Sequence, residues 1–496
     1  MNNTNKEFDV CIIGAGLAGG VLAAYLGKNG KKVAVVEKMM IEQDGIIGEL
    51  LQPGGVEKLC DMELEHLVEG IDAQKVKGYG LFLGKERIQL HYPQNAAKVY
   101  EGRGFRYGKF ISSIRNYIQS LENVTLIEGT VTDFIEDDQH IYGLKYKDKK
   151  TGEEQYIHAP LTVACDGAFS FFRQKLSDAT HTINSYFLGL VLKNPQLPYP
   201  DHGHVILCDS GPVLAYPIAT GECRMLISFP ETNMPKKSPE LIAYLKNELA
   251  KELPEEILPS YMDAVDEGKF KVMPAQYVPA QPKLKKGAVL LGDSLNMRHP
   301  LTGGGMTVAL TDIHSLGRLL LQIDMNNEKA LFDTVHEYYE KHHSNNATVN
   351  ILADALYGVV QDPQLKVACF EYLKKGENYY KEPISLLSAV NRERTTLLKH
   401  FFSVAFFGVN DNIKFPTPSN VGKAFNMVKH ALEILNPLML NENPDMVTKG
   451  ALKVTEGALK VTNTVTKTAN SFTDKVSENA NMIKRNAKKI TSKVLD

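Results

Sequence analysis

Thirteen residues near the start constrain this chain more than any others. Phe8–Gly20 reads FDVCIIGAGLAGG, an apolar run that ends in Gly14-x-Gly16-x-x-Gly19 and passes into a helical stretch through Leu26. After Lys31 and Lys32 a second apolar run, Val33–Val36, closes on Glu37. Each part has a mechanical reason. Gly14 permits a tight turn, Gly16 lets backbone approach a pyrophosphate, and Gly19 lets helix and strand pack closely. The helix N-terminus offers unpaired N–H groups to the phosphates. Glu37 is placed to accept hydrogen bonds from ribose hydroxyls, and a carboxylate there disfavours a 2′-phosphate. The spacing predicts a βαβ dinucleotide fold for FAD or NAD, not NADP.

Two later motifs choose between those cofactors. Leu161–Arg173 reads LTVACDGAFSFFR, a strand ending in Asp166-Gly167 with Ser170 and Arg173 behind it. Gly287–Leu310 reads GAVLLGDSLNMRHPLTGGGMTVAL, a strand ending in Gly292-Asp293, then a Pro/Gly loop that feeds a helix at about Met306. An aspartate at a strand end suits a ribityl chain, and Gly303-Gly304-Gly305 leaves a flat ring unobstructed. A helix N-terminus behind that loop stabilises the anionic locus of a reduced flavin. Alone, Asp293 reads equally well as a turn residue. In this order behind the fingerprint, the three motifs favour FAD.

A length of 496 residues exceeds one compact core, so several domains are expected. Lys+Arg total 56 against 58 Asp+Glu, which argues against a nucleic-acid partner. The six cysteines are scattered, which suggests reduced thiols and neither a disulfide framework nor a metal site. Met1–Lys6 is polar, and no signal peptide is expected. The most apolar run, Leu397–Val409, contains Lys399 and His400 and is shorter than the roughly 20 residues a span needs. With Phe401, Phe402, Phe406 and Phe407 it suits a membrane interface. His336, Glu340 and His343 share a helix face but sit in polar HEYYEKHH, which reads as a solvated face, with no metal expected.

The chain resembles the squalene epoxidase family among flavin hydroxylases, from about Val10 to Val409. The strings that carry this are IIGELLQPGGVEKL (46–59), HAPLTVACDG (158–167), LGDSLNMRHPLTGGGMTVAL (291–310) and VNILADALY (349–357). The resemblance implies FAD contacts at the backbone of Leu17 and Ala18, at Glu37 with Lys38 behind it, and at Arg115, Val131, Asp293 and Met306, to which the glycine loop adds Gly304. It places Gln52 and Tyr79 between flavin and substrate, as the catalytic pair. Where the family has an arginine after an aspartate, this chain has Asp44-Gly45. A lost cation there implies weaker FAD binding unless Lys38 substitutes, and Gly45→Arg would tighten it.

The chemistry implied is epoxidation of squalene to 2,3-oxidosqualene in sterol biosynthesis. Reduced flavin and O2 form a C4a-hydroperoxide, while the protein supplies geometry and a dry cavity. No second dinucleotide fingerprint is visible, so electrons are expected from NADPH through a diflavin reductase. Other readings are a different flavin hydroxylase, a prenyl-chain reductase, or a non-catalytic lipid-binding flavin fold.

The predicted fold is α/β. A Rossmann-type FAD domain is assembled from 1–70, 95–175 and 285–345, with an interleaved α+β substrate domain at 71–94 and 176–284. A helical, membrane-facing region follows at 346–445, then an amphipathic helical tail at 446–496. From Thr448 to Asp496 there are ten Lys/Arg against four Asp/Glu. Val454, Val465, Val476 and Ala487 recur every 11 residues, close to the pitch of a straight helix. One weak apolar stripe flanked by lysines suits a lipid surface. The expected location is the cytosolic face of the endoplasmic reticulum membrane, monotopic, or the lipid droplet.

Overall fold

The structure is a computed structural model that describes residues 8–413, apart from 44, 47, 97 and 233–235, together with 430, 431, 433 and 434. The tail at 446–496 lies outside the described residues. Two compact units divide the chain: residues up to Ala353 with Ile384–Arg392, and Asp354–Pro383 with Glu393 onward.

The first unit is built on two seven-stranded sheets. Val10–Ile13 lies inside the first, between Val33–Glu37 and Leu161–Ala164, and Ala288–Leu290 follows at the edge. All four strands run parallel with Val124–Glu136 beyond them, and Ile141–Asp148 and Glu154–His158 add an antiparallel margin. Val10–Ile13, Val33–Glu37, Leu161–Ala164 and Ala288–Leu290 are buried at every position, as expected of strands covered on both faces. The register pairs Val10 with both Val33 and Leu161, so the strands end level and their carboxyl-end loops meet.

The second sheet runs Lys271–Tyr277, Thr182–Lys193, Glu222–Pro230, Gly211–Ala219, Gly203–Cys208, Gly78–Leu83 and Glu86–His91. It is antiparallel except where Gly203–Cys208 meets Gly78–Leu83, a parallel pairing that sets Tyr79 opposite Gly203. Leu188, Leu190, Val213, Ala215, Met225 and Ile227 form its own core with the helix Leu258–Glu267. A small third sheet joins Leu50–Leu51, Gly102–Gly104 and Gln74–Val76. His336 and Glu340 are exposed on the helix Glu328–Gln361, and among the described residues no group of side chains is arranged to hold a metal.

In the second unit the helix Pro363–Lys374 starts at Asp362, whose carboxylate accepts from the N–H groups of Gln364 and Leu365. It packs on Arg394–Ile413, with Tyr372 6.1 Å from the Phe407 ring and its hydroxyl 3.0 Å from His400 Nδ1. Phe401, Phe402, Phe406 and Phe407 are each half-buried. No described helix is long and apolar enough to cross a membrane.

Candidate active site

Three loops meet at the carboxyl ends of the parallel strands: 14–16, 165–167 and 292–293. Gly14 has φ +96°, and a Cβ there would stand 2.7 Å from the Cys165 carbonyl oxygen, so only glycine lets these loops touch. At Gly19 a Cβ would lie 2.0 Å from the Gly14 oxygen and 2.9 Å from Ile12 Cγ2, the close helix–strand approach the motif implies. Gly16 differs. The nearest atom to a Cβ there is Tyr107 Oη at 3.9 Å, so the face above it is open.

Asp166 and Arg173 hold the loops in place. Asp166 accepts from Ser170 Oγ at 2.6 Å and from the Phe171 N–H at 2.8 Å. Arg173 donates to the carbonyls of Ser294, Asp293 and Ala168 at 2.9, 2.8 and 3.0 Å, strapping two loops that the sequence sets far apart. Glu37 accepts from the N–H groups of Ala15 at 2.7 Å and Met39 at 2.9 Å. Arg115 pairs with Glu37 at 3.3 Å and donates to the carbonyls of Ala15 and Met39. Its guanidinium thus braces the fingerprint turn. A carboxylate has about four acceptor positions, so Glu37 retains capacity for a ribose.

A cavity of about 460 Å³ is lined by Gly16, Leu17 and Ala18, by Asp293, Gly305 and Met306, and by Leu214, Leu226 and Met273. Tyr79 also lines it. Glu37, Lys38, Gln52, Arg115 and Val131 are not part of this wall: Lys38 is exposed, Gln52 is buried behind Tyr79, and Val131 packs half-buried on the first sheet. Gly304 serves packing, because a Cβ there would lie 2.8 Å from Val349 Cγ1. The glycine cradle over an open passage fits a bound dinucleotide.

Gln52, fully buried, is the hub of the boundary. Its Nε2 donates to Tyr79 Oη at 2.5 Å and to the Thr302 carbonyl at 2.7 Å, and its Oε1 accepts from Tyr92 Oη at 2.7 Å. One amide thereby ties the 300–303 loop to the second sheet. Burial pushes the Tyr79 and Tyr92 hydroxyls above the usual phenol range, so both stay neutral. Asp293 borders the open interior of the cavity while protein surrounds it. Desolvation raises its carboxyl, and Arg298 and Arg173 oppose the rise. Burial holds His299 down to about 3, so its imidazole is neutral. Its Nδ1 accepts from the Leu301 N–H at 3.2 Å, and its Nε2 lies 2.9 Å from Ser185 Oγ.

Sequence reading missed Tyr92, Tyr107, Arg298, His299 and the buried pair Glu49–Arg224, in which Arg224 Nε and Nη2 reach the carboxylate at 2.6 and 3.1 Å. Glu49 and His299 stand inside the strings IIGELLQPGG and NMRHPLTGGG, where a charged or ionisable residue among apolar neighbours was the available signal.

Comparison with known proteins adds to this geometry. A squalene epoxidase family model matches residues 158–424, and one for glucose inhibited division protein A matches residues 9–177. Squalene epoxidase 1 of Arabidopsis thaliana is 43% identical over 444 residues, covering 88% of this chain and 83% of the plant protein. Squalene epoxidase of Schizosaccharomyces pombe is 37% identical, over 82% of this chain and 91% of its own. Squalene monooxygenase of Mus musculus is also 37% identical, over 80% and 71%. Among solved structures, a Cytophaga hutchinsonii flavoprotein/dehydrogenase aligns with a TM-score of 0.65 at 18% identity, over 82% of this chain and 99% of that one. Klebsiella pneumoniae HpxO complexed with FAD aligns at 0.62 and 17%, over 77% and 99%. These two likenesses speak for the fold.

Proposed function

The chain belongs to the squalene epoxidase family, and on that premise we propose the following reading of its site. The protein is an FAD-dependent monooxygenase that epoxidises squalene. The observation that carries this is the continuity of one cavity, from a glycine cradle to a chamber walled by Leu214, Leu226 and Met273. When bound, FAD supplies reducing equivalents to O2 and the transfer of one oxygen atom to an alkene.

The residues of this chain do the rest. Gly16 with the N–H groups of Leu17 and Ala18 admits the pyrophosphate, Asp293 binds the ribityl hydroxyls, and Glu37 takes the ribose with Arg115 bracing it. Met306 and the N-terminus of the helix Gly305–Leu321 stand at the ring, where the helix dipole favours negative charge. Apolar walls exclude water from the substrate end. Tyr79, held by Gln52, would line the passage between flavin and substrate. Neither moves a proton in this reading. Val131 and Lys38 serve the adenine end.

The domain division expected from sequence stands as part of the proposal, with 71–94 and 176–284 as the substrate domain. Electrons are drawn from NADPH through a diflavin reductase, and the product is 2,3-oxidosqualene. Purified protein given FAD, such a reductase, NADPH, O2 and squalene is expected to form the epoxide. No epoxide under these conditions refutes the reading. Tyr79→Phe removes the acceptor for Gln52 Nε2 and is expected to slow epoxide formation about tenfold, with FAD occupancy unchanged. Equal turnover, or loss of FAD, would move Tyr79 out of this role.

Membrane or lipid-droplet attachment rests on the 11-residue pattern of 446–496. Removing Thr448–Asp496 is expected to shift the protein from droplets or endoplasmic reticulum membrane to the cytosol, with FAD binding intact. The isolated segment should gain helical circular dichroism on anionic vesicles. Unchanged location together with an unstructured peptide on lipid would refute this.

A further inference from the structure

We propose that Tyr107 is a cofactor-binding residue, its hydroxyl donating to the phosphate–ribityl segment of FAD, and that Gly45 is a glycine because it makes room for its ring. The inference rests on the FAD reading above and adds to it a residue and a reason for one glycine.

Tyr107 is the first residue of the helix Tyr107–Ser120, and its side chain lines the same cavity as Gly16, Leu17 and Asp293. Its ring stands between two backbone segments. A Cβ on Gly45 would lie 3.1 Å from Cδ1 and 3.5 Å from Cγ, and one on Gly48 would lie 3.1 Å from Cδ2 and 3.2 Å from Cε2. Its hydroxyl sits 3.9 Å from where a Gly16 Cβ would be. Leu17 opens the helix Leu17–Lys28, whose orphan N–H groups are the anion-binding donors of this fold.

A neutral phenol has one hydrogen to donate. Burial, with Asp293 adding to it, pushes the Tyr107 hydroxyl up to about 12, so that hydrogen stays in place at neutral pH. The hydroxyl therefore offers a donor to an oxygen in the cavity beside Gly16. This reverses the expectation attached to Gly45. Any side chain there presses on the Tyr107 ring, so Gly45→Arg displaces a contact and does not restore a cation.

The test is FAD titration of apoprotein, read by quenching of flavin fluorescence, with the melting temperature of each apoprotein alongside. Tyr107→Phe keeps the ring and is expected to raise the Kd about 3- to 10-fold with no change in apoprotein melting. Gly45→Ala is expected to raise the Kd when Tyr107 is present and to add nothing in a Tyr107→Ala background. Wild-type protein that binds no FAD removes the FAD reading itself. Wild type that binds while Tyr107→Phe binds equally well overturns the role of the hydroxyl. An equal Gly45→Ala effect in both backgrounds overturns the role of the ring. Should Gly45→Ala not fold, the near-isosteric Tyr107→Phe decides.

Discussion

Gly16→Val is expected to yield a folded protein that is colourless. The face above Gly16 opens onto the cavity, so two added methyl groups project where the pyrophosphate must pass and meet no backbone on the way. The FAD Kd should rise at least about a hundredfold, while the melting temperature of the apoprotein stays near that of wild type. Gly19→Val separates the two functions of the motif. Its Cβ would overlap the Gly14 carbonyl oxygen at 2.0 Å, so that variant is expected not to fold at all. Flavin absorbance after reconstitution and thermal melting distinguish the cases. A yellow Gly16→Val protein with wild-type affinity would remove the fingerprint from the cofactor site.

Glu49→Ala should be strongly destabilising. Glu49 and Arg224 are a two-point ion pair with side chains 1% and 3% exposed, joining the loop before Leu50–Leu51 to the second sheet. Truncating one partner leaves the other charge buried without its counter-ion, which costs about 3–5 kcal/mol. Denaturant unfolding measures this. Glu49→Leu combined with Arg224→Met should recover most of the loss, because the charge and its desolvation leave together. A single variant within about 1 kcal/mol of wild type would mean that water reaches the pair.

What could be read in the sequence follows the distance over which each feature is decided. The strand Val10–Ile13, the turn at Gly14, the helix from Leu17 and the acid at Glu37 are local, and each residue type states its own backbone requirement. Asp293 was legible for the same reason, standing at the end of a short buried strand. Gln52 and Tyr79 emerged only through family resemblance. Their contact depends on the parallel pairing of Gly78–Leu83 with Gly203–Cys208, a register that no local pattern announces. Tyr92, Tyr107 and Arg224 were invisible because each acts across 40 or more residues or through a neighbour's missing side chain. Gly45 shows the same limit: along the chain it is an absent charge, and in space a Cβ there would stand 3.1 Å from the Tyr107 ring.

The parallel pairing of Val10–Ile13 with Leu161–Ala164, and of that strand with Ala288–Leu290, also sets a schedule for synthesis. The wall bearing Asp293 leaves the ribosome long after the turn at Gly14, and the entire second sheet, from Gly78 to Tyr277, is made in between. At translation rates of about 5–20 residues per second, the fingerprint waits roughly 15–60 s for its last partner. Through that interval its helix N-terminus has no completed pocket beneath it and Ala288–Leu290 does not yet exist. FAD is therefore a late arrival, joining a nascent chain that has already had to stay soluble without it.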